Sequence, residues 1–274
     1  MVSFVLVIEL IFVDPNWTIP ISLTGNACFV NCSHCGGHYL AHMKTLQDLD
    51  RFAAKGYKSF LISGGLEKDL LVPFMNYLSL LRDLKGRYKL VYNFHVGFPQ
   101  KRLEEIEDLA DIVSFDFFTD PSVMEAVYGF SIDPFHLLKA IETTKVPAIP
   151  HITIGIFKGR ISQEHQALEL LSQRFNSIVL NVFVPTPATK FAGFPPPNLA
   201  EVREIFEHAR EKFKFIALGC MQPKGQYRRL LQQVVKPFVD VIVKPLSKVE
   251  VNFKGCCAFL LSKISKSEVV TNVR

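Results

Sequence analysis

The sequence has no extended Lys/Arg run, no low-complexity segment, and no basic stretch ahead of its apolar opening. The missing basic run removes the electrostatic footprint of a nucleic-acid binder. The net charge of +5 at pH 7 is compatible with an acidic partner without demanding one. The opening "MVSFVLVIELIFVDP" carries Glu9, lacks the cationic start of a secretory signal and is too short to span a bilayer. It reads as a strand or packed lead-in. The protein is expected to be cytoplasmic, with neither membrane nor nucleic acid among its partners. Cysteine is too sparse for a secreted disulfide scaffold: there are six in 274 residues. Three of them crowd into one short stretch, and in a reducing compartment such a cluster favours metal over disulfide. Extensive disorder does not fit a composition that is 49% hydrophobic with 24 Phe. A chain of this length buries about three quarters of its unfolded surface without covalent staples.

What is present is a series of apolar runs: "IPISLT" (19–24), "KSFLIS" (58–63), "KLVYNFHV" (89–96), "DIVSFDFF" (111–118), "PAIPHITIGIF" (147–157) and "SIVLNVFVP" (177–185). They are continuous rather than alternating, the pattern of parallel strands covered on both faces. Helix-like segments separate them. Thr45 is placed to cap one helix and Gly56 to end it, and Asn198 to cap another whose Val202, Ile205, Phe206, Ala209 and Phe213 share a face. The repeat length is that of βαβ units. The expected fold is α/β, a partial (β/α)6 TIM-like barrel over residues 19–213, with a lead-in at 1–18 and a short C-terminal extension at 214–274. "PTPATKFAGFPPPN" (185–198) closes the sixth strand. In the extension "KFIALGC", "PFVDVIVKP" and "KVEVNFKGCCAF" read as further strands, and the polar end "SKISKSEVVTNVR" is expected to fray.

The stretch "GNACFVNCSHCGGH" (25–38) spaces Cys28, Cys32 and Cys35 as C-x3-C-x2-C. Fully extended, Cys28 to Cys35 spans about 25 Å, so three sulfurs meet one object only if the loop wraps around it. Gly25, Gly36 and Gly37 supply the freedom. A structural zinc wants four protein ligands and a catalytic zinc three, and His34 and His38 lie close by. A cubic iron–sulfur cluster also wants four, so three cysteines leave one iron open to another ligand. Inert buried thiols are the third reading.

C-x3-C-x2-C after a first strand resembles the signature of the radical S-adenosylmethionine (SAM) superfamily, whose barrel is the partial (β/α)6 type. The resemblance implies a [4Fe–4S] cluster on Cys28, Cys32 and Cys35. The open iron would chelate the methionine part of SAM, and the cofactor would be split reductively to a carbon radical that abstracts hydrogen. His34 holds the slot before the last loop cysteine, where an aromatic ring is common. Gly64 and Gly65 in "SGGLEKD" match the glycine pair that receives the cofactor's amino group, with Leu66 in place of the usual Glu and Glu67 next. His95 in "NFHVG" would face the site mouth. Asp116 in "SFDFFTD" would accept from ribose hydroxyls, with Asp120 the better helix cap. "HITIG", with His151 and Thr153, resembles the G-x-I-x-G stretch beside adenine, His151 replacing the first Gly. Val184 and Pro185 would flank the adenine.

Cys220 in "IALGCMQPKGQYR" and Cys256 and Cys257 in "NFKGCCAF" both follow apolar strand-like runs. Residues just past strand ends of a parallel barrel face the active site, so these thiols are candidates for a second cluster. "SLTGNACFVNCSHCGGHYLAHM", "ISGG", "SFDF", "PHITIG", "VPTPAT", "GCMQPKGQYR" and the late Cys-Cys together resemble the archaeal-type two-protein lipoyl synthases, often labelled biotin-synthase-like. That resemblance implies sulfur insertion into an octanoyl chain on a lipoyl carrier protein, with an auxiliary cluster as sulfur donor. The implied partners are the carrier, a second synthase subunit and an electron donor such as ferredoxin. The Phe-rich interior would line an acyl channel. Sulfur insertion or rearrangement on a free small molecule is the alternative within the superfamily; a non-catalytic Fe–S or zinc protein is the alternative outside it.

Overall fold

The computed structural model describes residues 9–246 and 249–271, the side chains of 266–271 excepted. The lead-in lies partly outside the described residues; what is described begins with β1 (Ile11–Asp14). There follow β2 (Thr18–Ser22), β3 (Lys44–Thr45), α1 (Leu46–Ala54), β4 (Ser59–Ser63), α2 (Leu78–Tyr88), β5 (Val91–His95), β6 (Ile112–Asp116), α3 (Pro121–Tyr128) and α4 (Pro134–Thr143). Next come β7 (Ala148–Ile154), α5 (Glu164–Ser172), β8 (Ser177–Val182), α6 (Leu199–Lys212), β9 (Phe215–Leu218), α7 (Gln226–Val235), β10 (Val241–Val243), β11 (Phe253–Lys254) and α8 (Cys257–Thr271). The polar end expected to fray is therefore helical as far as Thr271. Extending a helix already nucleated by packed residues costs little.

The strands form one parallel sheet in the order β11-β1-β10-β9-β8-β7-β6-β5-β4-β2-β3. The six consecutive strands β2, β4, β5, β6, β7 and β8 are the six apolar runs of the sequence. They form a curled, partial parallel barrel. On one side the sheet continues through β9, β10, β1 and β11, and on the other it ends in the two-residue β3.

The local signals hold. Thr45 caps α1 in a capping box with Asp48, and Gly56 follows at φ +94°. Asn198 accepts from the Ala200 N–H at the start of α6, and Asp120 accepts from the N–H groups of Ser122 and Val123 at the start of α3.

Period-two alternation divides strands β6 to β10 between two apolar clusters. Phe60, Phe94, Phe115 and Ile152 face outward and pack with helices α1 to α7, through residues such as Leu49, Leu81, Val127 and Phe206. Ile112, Ile149, Val179, Phe215 and Val241 face the other way and pack with Ala258, Leu260 and Leu261 of α8. One helix touches β6 through β9 and shares a cluster with β1 and β10, so the sheet curls around it. α8 thus plugs the inside of the barrel.

This placement corrects the expected acyl channel. Among the fully buried phenylalanines, Phe215 belongs to the inner cluster, and it packs with α8 rather than lining a cavity. The inner positions nearer the strands' C-terminal ends are polar: Asn93, His95, Ser114, Asp116, His151 and Asn181. The apolar runs are apolar because the outer face needs Phe and Ile against the helices; the inner face alternates between them.

Candidate functional site

The loop after β2 crosses the C-terminal mouth of the barrel and is tied down on both sides. The Ser22 hydroxyl donates to the Gly25 carbonyl at 2.6 Å, and the Leu23 N–H to the Ser63 carbonyl at 2.8 Å. The Gly65 N–H donates to the Thr24 hydroxyl at 2.7 Å, and the Phe29 N–H to the Leu66 carbonyl at 2.9 Å. A Cβ at Gly65 would lie 1.9 Å from the Ala27 carbonyl oxygen and 2.6 Å from the Cys28 Cα. Only glycine lets the two backbones approach this closely. A cavity of about 720 Å³ borders this contact, lined by Thr24, Cys28, Phe29, Leu66 and Glu67 among others. Glu67 shares that cavity with Cys28.

On the far side, the Ser33 N–H and hydroxyl donate to the Val127 and Ala126 carbonyls at the end of α3, at 2.7 and 2.9 Å. The Phe191 N–H donates to the Ser33 carbonyl at 3.0 Å, and the Tyr39 and Thr186 hydroxyls pair at 3.3 Å. The segment after β8 therefore closes against the cysteine loop, carrying the partly exposed Val184 and Pro185. The Cys35 and Gly36 N–H groups both donate to the Cys32 carbonyl, at 3.0 and 2.8 Å, so Cys32 and Cys35 share one tight turn.

The three thiols sense one another. Burial pushes the Cys32 thiol far up, with the charges of Cys35 and Cys28 adding to it. Cys35 is raised by burial first, against nearby N–H groups, and again by Cys28. Converging, part-buried thiols that disfavour ionisation beside one another suit a strongly cationic ligand, which reverses that repulsion. The donor set of three sulfurs, with Gly65 holding the loop in place, fits a three-thiolate cluster.

His34 lies elsewhere. Its ring meets Tyr128 edge-on at 5.6 Å, it is 8% exposed, and its Nδ1 has no hydrogen-bond partner. Burial holds it down to about 4. It packs the loop onto α3.

Inside the barrel, His95 ends β5, Asp116 ends β6, and His151 is the ladder partner of Asp116 on β7. One ligand atom from each lies within 4.8 Å of the others. His95 Nε2 is 3.7 Å from Asp116 Oδ2, and the two imidazole centroids are 5.7 Å apart. Burial, then the charge of His95, holds His151 down to about 3, and its Nε2 has no hydrogen-bond partner. Burial raises Asp116, and His95 opposes the rise. Thr153 sits two positions beyond His151 on the same face of β7. Because Asp120 caps α3, Asp116 is left for the lumen.

The other cysteines also come together. Cys220 lies just beyond β9, Cys257 opens α8, and Cys256 immediately precedes it. The Asn93 side-chain amide donates to Cys256 Sγ at 3.5 Å. The Cys257 thiol donates to Cys256; with the Ala258 N–H, the Asn93 amide and the Phe259 N–H, it brings Cys256 down to about 7 against burial. Cys257 is raised by that same bond first. Cys220 is pushed up to about 11 by desolvation and then by Cys256, with Lys244 opposing. The trio therefore borders the lumen floor, two positions along β5 from His95. Asn93 and Ser114 were not singled out by sequence reasoning. Their signal was period-two spacing from His95 and Asp116, which puts them on the same strand face.

No protein-family model and no curated protein matches the chain. Among solved structures, methylornithine synthase (PylB) superposes with a TM-score of 0.62 at 14% identity, over 88% of this chain and 74% of that one. The N-terminal domain of a putative aldolase from Bacteroides vulgatus gives 0.47 at 13% identity, over 94% and 80% of the two chains. A geranylgeranylglyceryl phosphate synthase from Thermoplasma acidophilum gives 0.41 at 15% identity, over 86% and 85%. The likeness to methylornithine synthase is one of fold; the other two are too loose to bear on the site.

Proposed function

We propose that the chain is a radical SAM enzyme that moves sulfur onto an unactivated carbon, acting as one subunit of a two-protein lipoyl synthase. The observation that carries this reading is the pair of cysteine trios. One is wrapped at the barrel mouth against Gly65, and the other sits at the lumen floor beside Asn93. The partial barrel shared with methylornithine synthase supports the superfamily.

Cys28, Cys32 and Cys35 would hold a [4Fe–4S] cluster. With SAM bound, that cluster supplies reductive cleavage of the sulfonium and a carbon radical able to abstract hydrogen. The chain's own residues do the rest. Gly64 and Gly65 would present backbone groups to the cofactor's amino end, Gly65 while packed on the Cys28 backbone, and Thr153, Val184 and Pro185 would border its nucleoside. α8 closes the bottom of the barrel, which keeps water from the reacting carbon. Cys220, Cys256 and Cys257 would hold the second cluster, the source of sulfur. The octanoyl chain would arrive on a carrier protein, electrons from a donor such as ferredoxin, and the second sulfur from the partner subunit.

The polar lumen favours a second reading. With Asn93, His95, Ser114 and Asp116 facing inward and Phe60, Phe94 and Phe115 of the same wall outward, a small polar molecule fits this part of the inner wall better than an octanoyl chain does. One experiment separates the readings. Reduced, reconstituted protein is given SAM and either an octanoylated lysyl peptide or small polar acceptors, and 5′-deoxyadenosine and product mass are followed. Deoxyadenosine with a peptide heavier by sulfur supports the synthase. Deoxyadenosine without sulfur transfer leaves the superfamily and removes the synthase. Zinc in place of iron, or no deoxyadenosine, removes both.

A further inference from the structure

We propose that His95, Asp116 and His151 form a mononuclear site for a divalent first-row metal ion inside the barrel, its open coordination positions turned to the lumen. The proposal does not depend on the radical reading, because the site is made of side chains distinct from either cysteine trio.

Two imidazoles and one carboxylate are the donor set that takes iron(II), manganese, cobalt or zinc while leaving positions free. The ligand atoms lie within 4.8 Å of one another, so small side-chain rotations bring them onto one ion. They stand on three neighbouring parallel strands: Asp116 and His151 are ladder partners, and β5 pairs β6 through His95 and Ser114. Strand-borne ligands are held more rigidly than loop-borne ones.

The polar bookkeeping of the lumen points the same way. His151 Nε2 is buried with no hydrogen-bond partner, and such an orphan calls for a ligand. The His95–Asp116 separation of 3.7 Å is too long for a hydrogen bond and leaves room between the two groups. Asp116 is a part-buried carboxylate whose negative charge a bound cation would offset. The ion would stand at the C-terminal ends of β5 and β6, against the His151 position of β7. There it would hold a carboxylate, carbonyl or hydroxyl oxygen of the substrate.

The test is titration of the reconstituted protein with Mn²⁺, read by electron paramagnetic resonance with the cluster in its oxidised, silent state. Mn²⁺ is a poor partner for thiolates, so the cluster-free protein serves equally and the result stands whether or not a cluster forms. The expected result is one saturable ion per chain whose echo modulation carries nitrogen couplings from two imidazoles. His95→Ala and His151→Ala each weaken binding by about tenfold or more and each remove one coupling. Asp116→Asn weakens binding with both couplings retained. His151→Gln, which keeps volume and polarity, gives the same loss if His151→Ala fails to fold. Three results overturn the site: no saturable binding below millimolar Mn²⁺, a bound ion without nitrogen coupling, or binding that survives His151→Gln. A fall in SAM affinity on Asp116→Asn without Mn²⁺ binding assigns the carboxylate to the nucleoside hydroxyls instead, and also overturns it.

Discussion

The amide of Asn93 donates to the sulfur of Cys256 across 3.5 Å, joining the middle of β5 to the residue that leads into α8. Asn93 is buried, and its own Oδ1 is unpartnered. The bond ties the late cysteines to the wall that carries His95, so the second trio and the lumen share one boundary.

Gly65→Ala should loosen the mouth loop. The added Cβ would meet the Ala27 carbonyl oxygen at 1.9 Å and the Cys28 Cα at 2.6 Å, both backbone. A cost of about 1–3 kcal/mol is expected from such overpacking. Iron content after reconstitution should fall and the melting temperature drop. Unchanged iron loading would show that the Gly65–Cys28 contact does not hold the loop.

Leu261→Ala probes the plug. Leu261 is fully buried in the inner cluster, and truncation there costs about 2–5 kcal/mol. Because Cys257 begins α8 and Cys256 adjoins it, the variant should fall from about eight irons per chain towards about four. Retention of the full count in a folded variant would mean that α8 does not place those thiols.

Cys32→Ala and Cys256→Ala divide the two trios. The first should abolish both deoxyadenosine formation and sulfur transfer. The second should spare cofactor cleavage and lose sulfur transfer. Equal loss of cleavage in both would assign all six cysteines to one function.

His34 should make stability pH-dependent. Its folded value of about 4 lies below the ordinary histidine value of 6.5, because burial disfavours the charged ring. The unfolded chain therefore takes up the proton first. Stability is full above pH 6.5 and falls as pH drops towards 4, by on the order of 3 kcal/mol in total. His151, held at about 3 by burial, adds a parallel fall. Urea denaturation of cluster-free His34→Phe between pH 7.5 and 5 should show about half the wild-type slope. An undiminished slope would mean that His34 is not buried neutral.

Much of this architecture was legible along the chain because its determinants are local. Thr45 and Asp120 cap helices through N–H groups two or three residues away. The C-x3-C-x2-C spacing puts three thiols in one short loop, and the apolar runs mark strands packed under helices. The polar lumen was harder to see. A continuous apolar run hides the strand's inner face, since Phe94 and His95, or Phe115 and Asp116, are neighbours in sequence but point to opposite sides. The segment at Cys257 reads as strand or helix from composition alone, and its burial inside the barrel has no local signature.

The amino-acid sequence by itself determined the trio of loop thiols, the six-strand repeat and the caps, because each depends on spacings of a few residues. Tertiary structure alone decided that α8 fills the barrel, that Cys220 joins Cys256 and Cys257, and that His95, Asp116 and His151 face one another. The Asn93–Cys256 bond spans 163 positions, and its partners meet because a curled parallel sheet brings its strands around one helix.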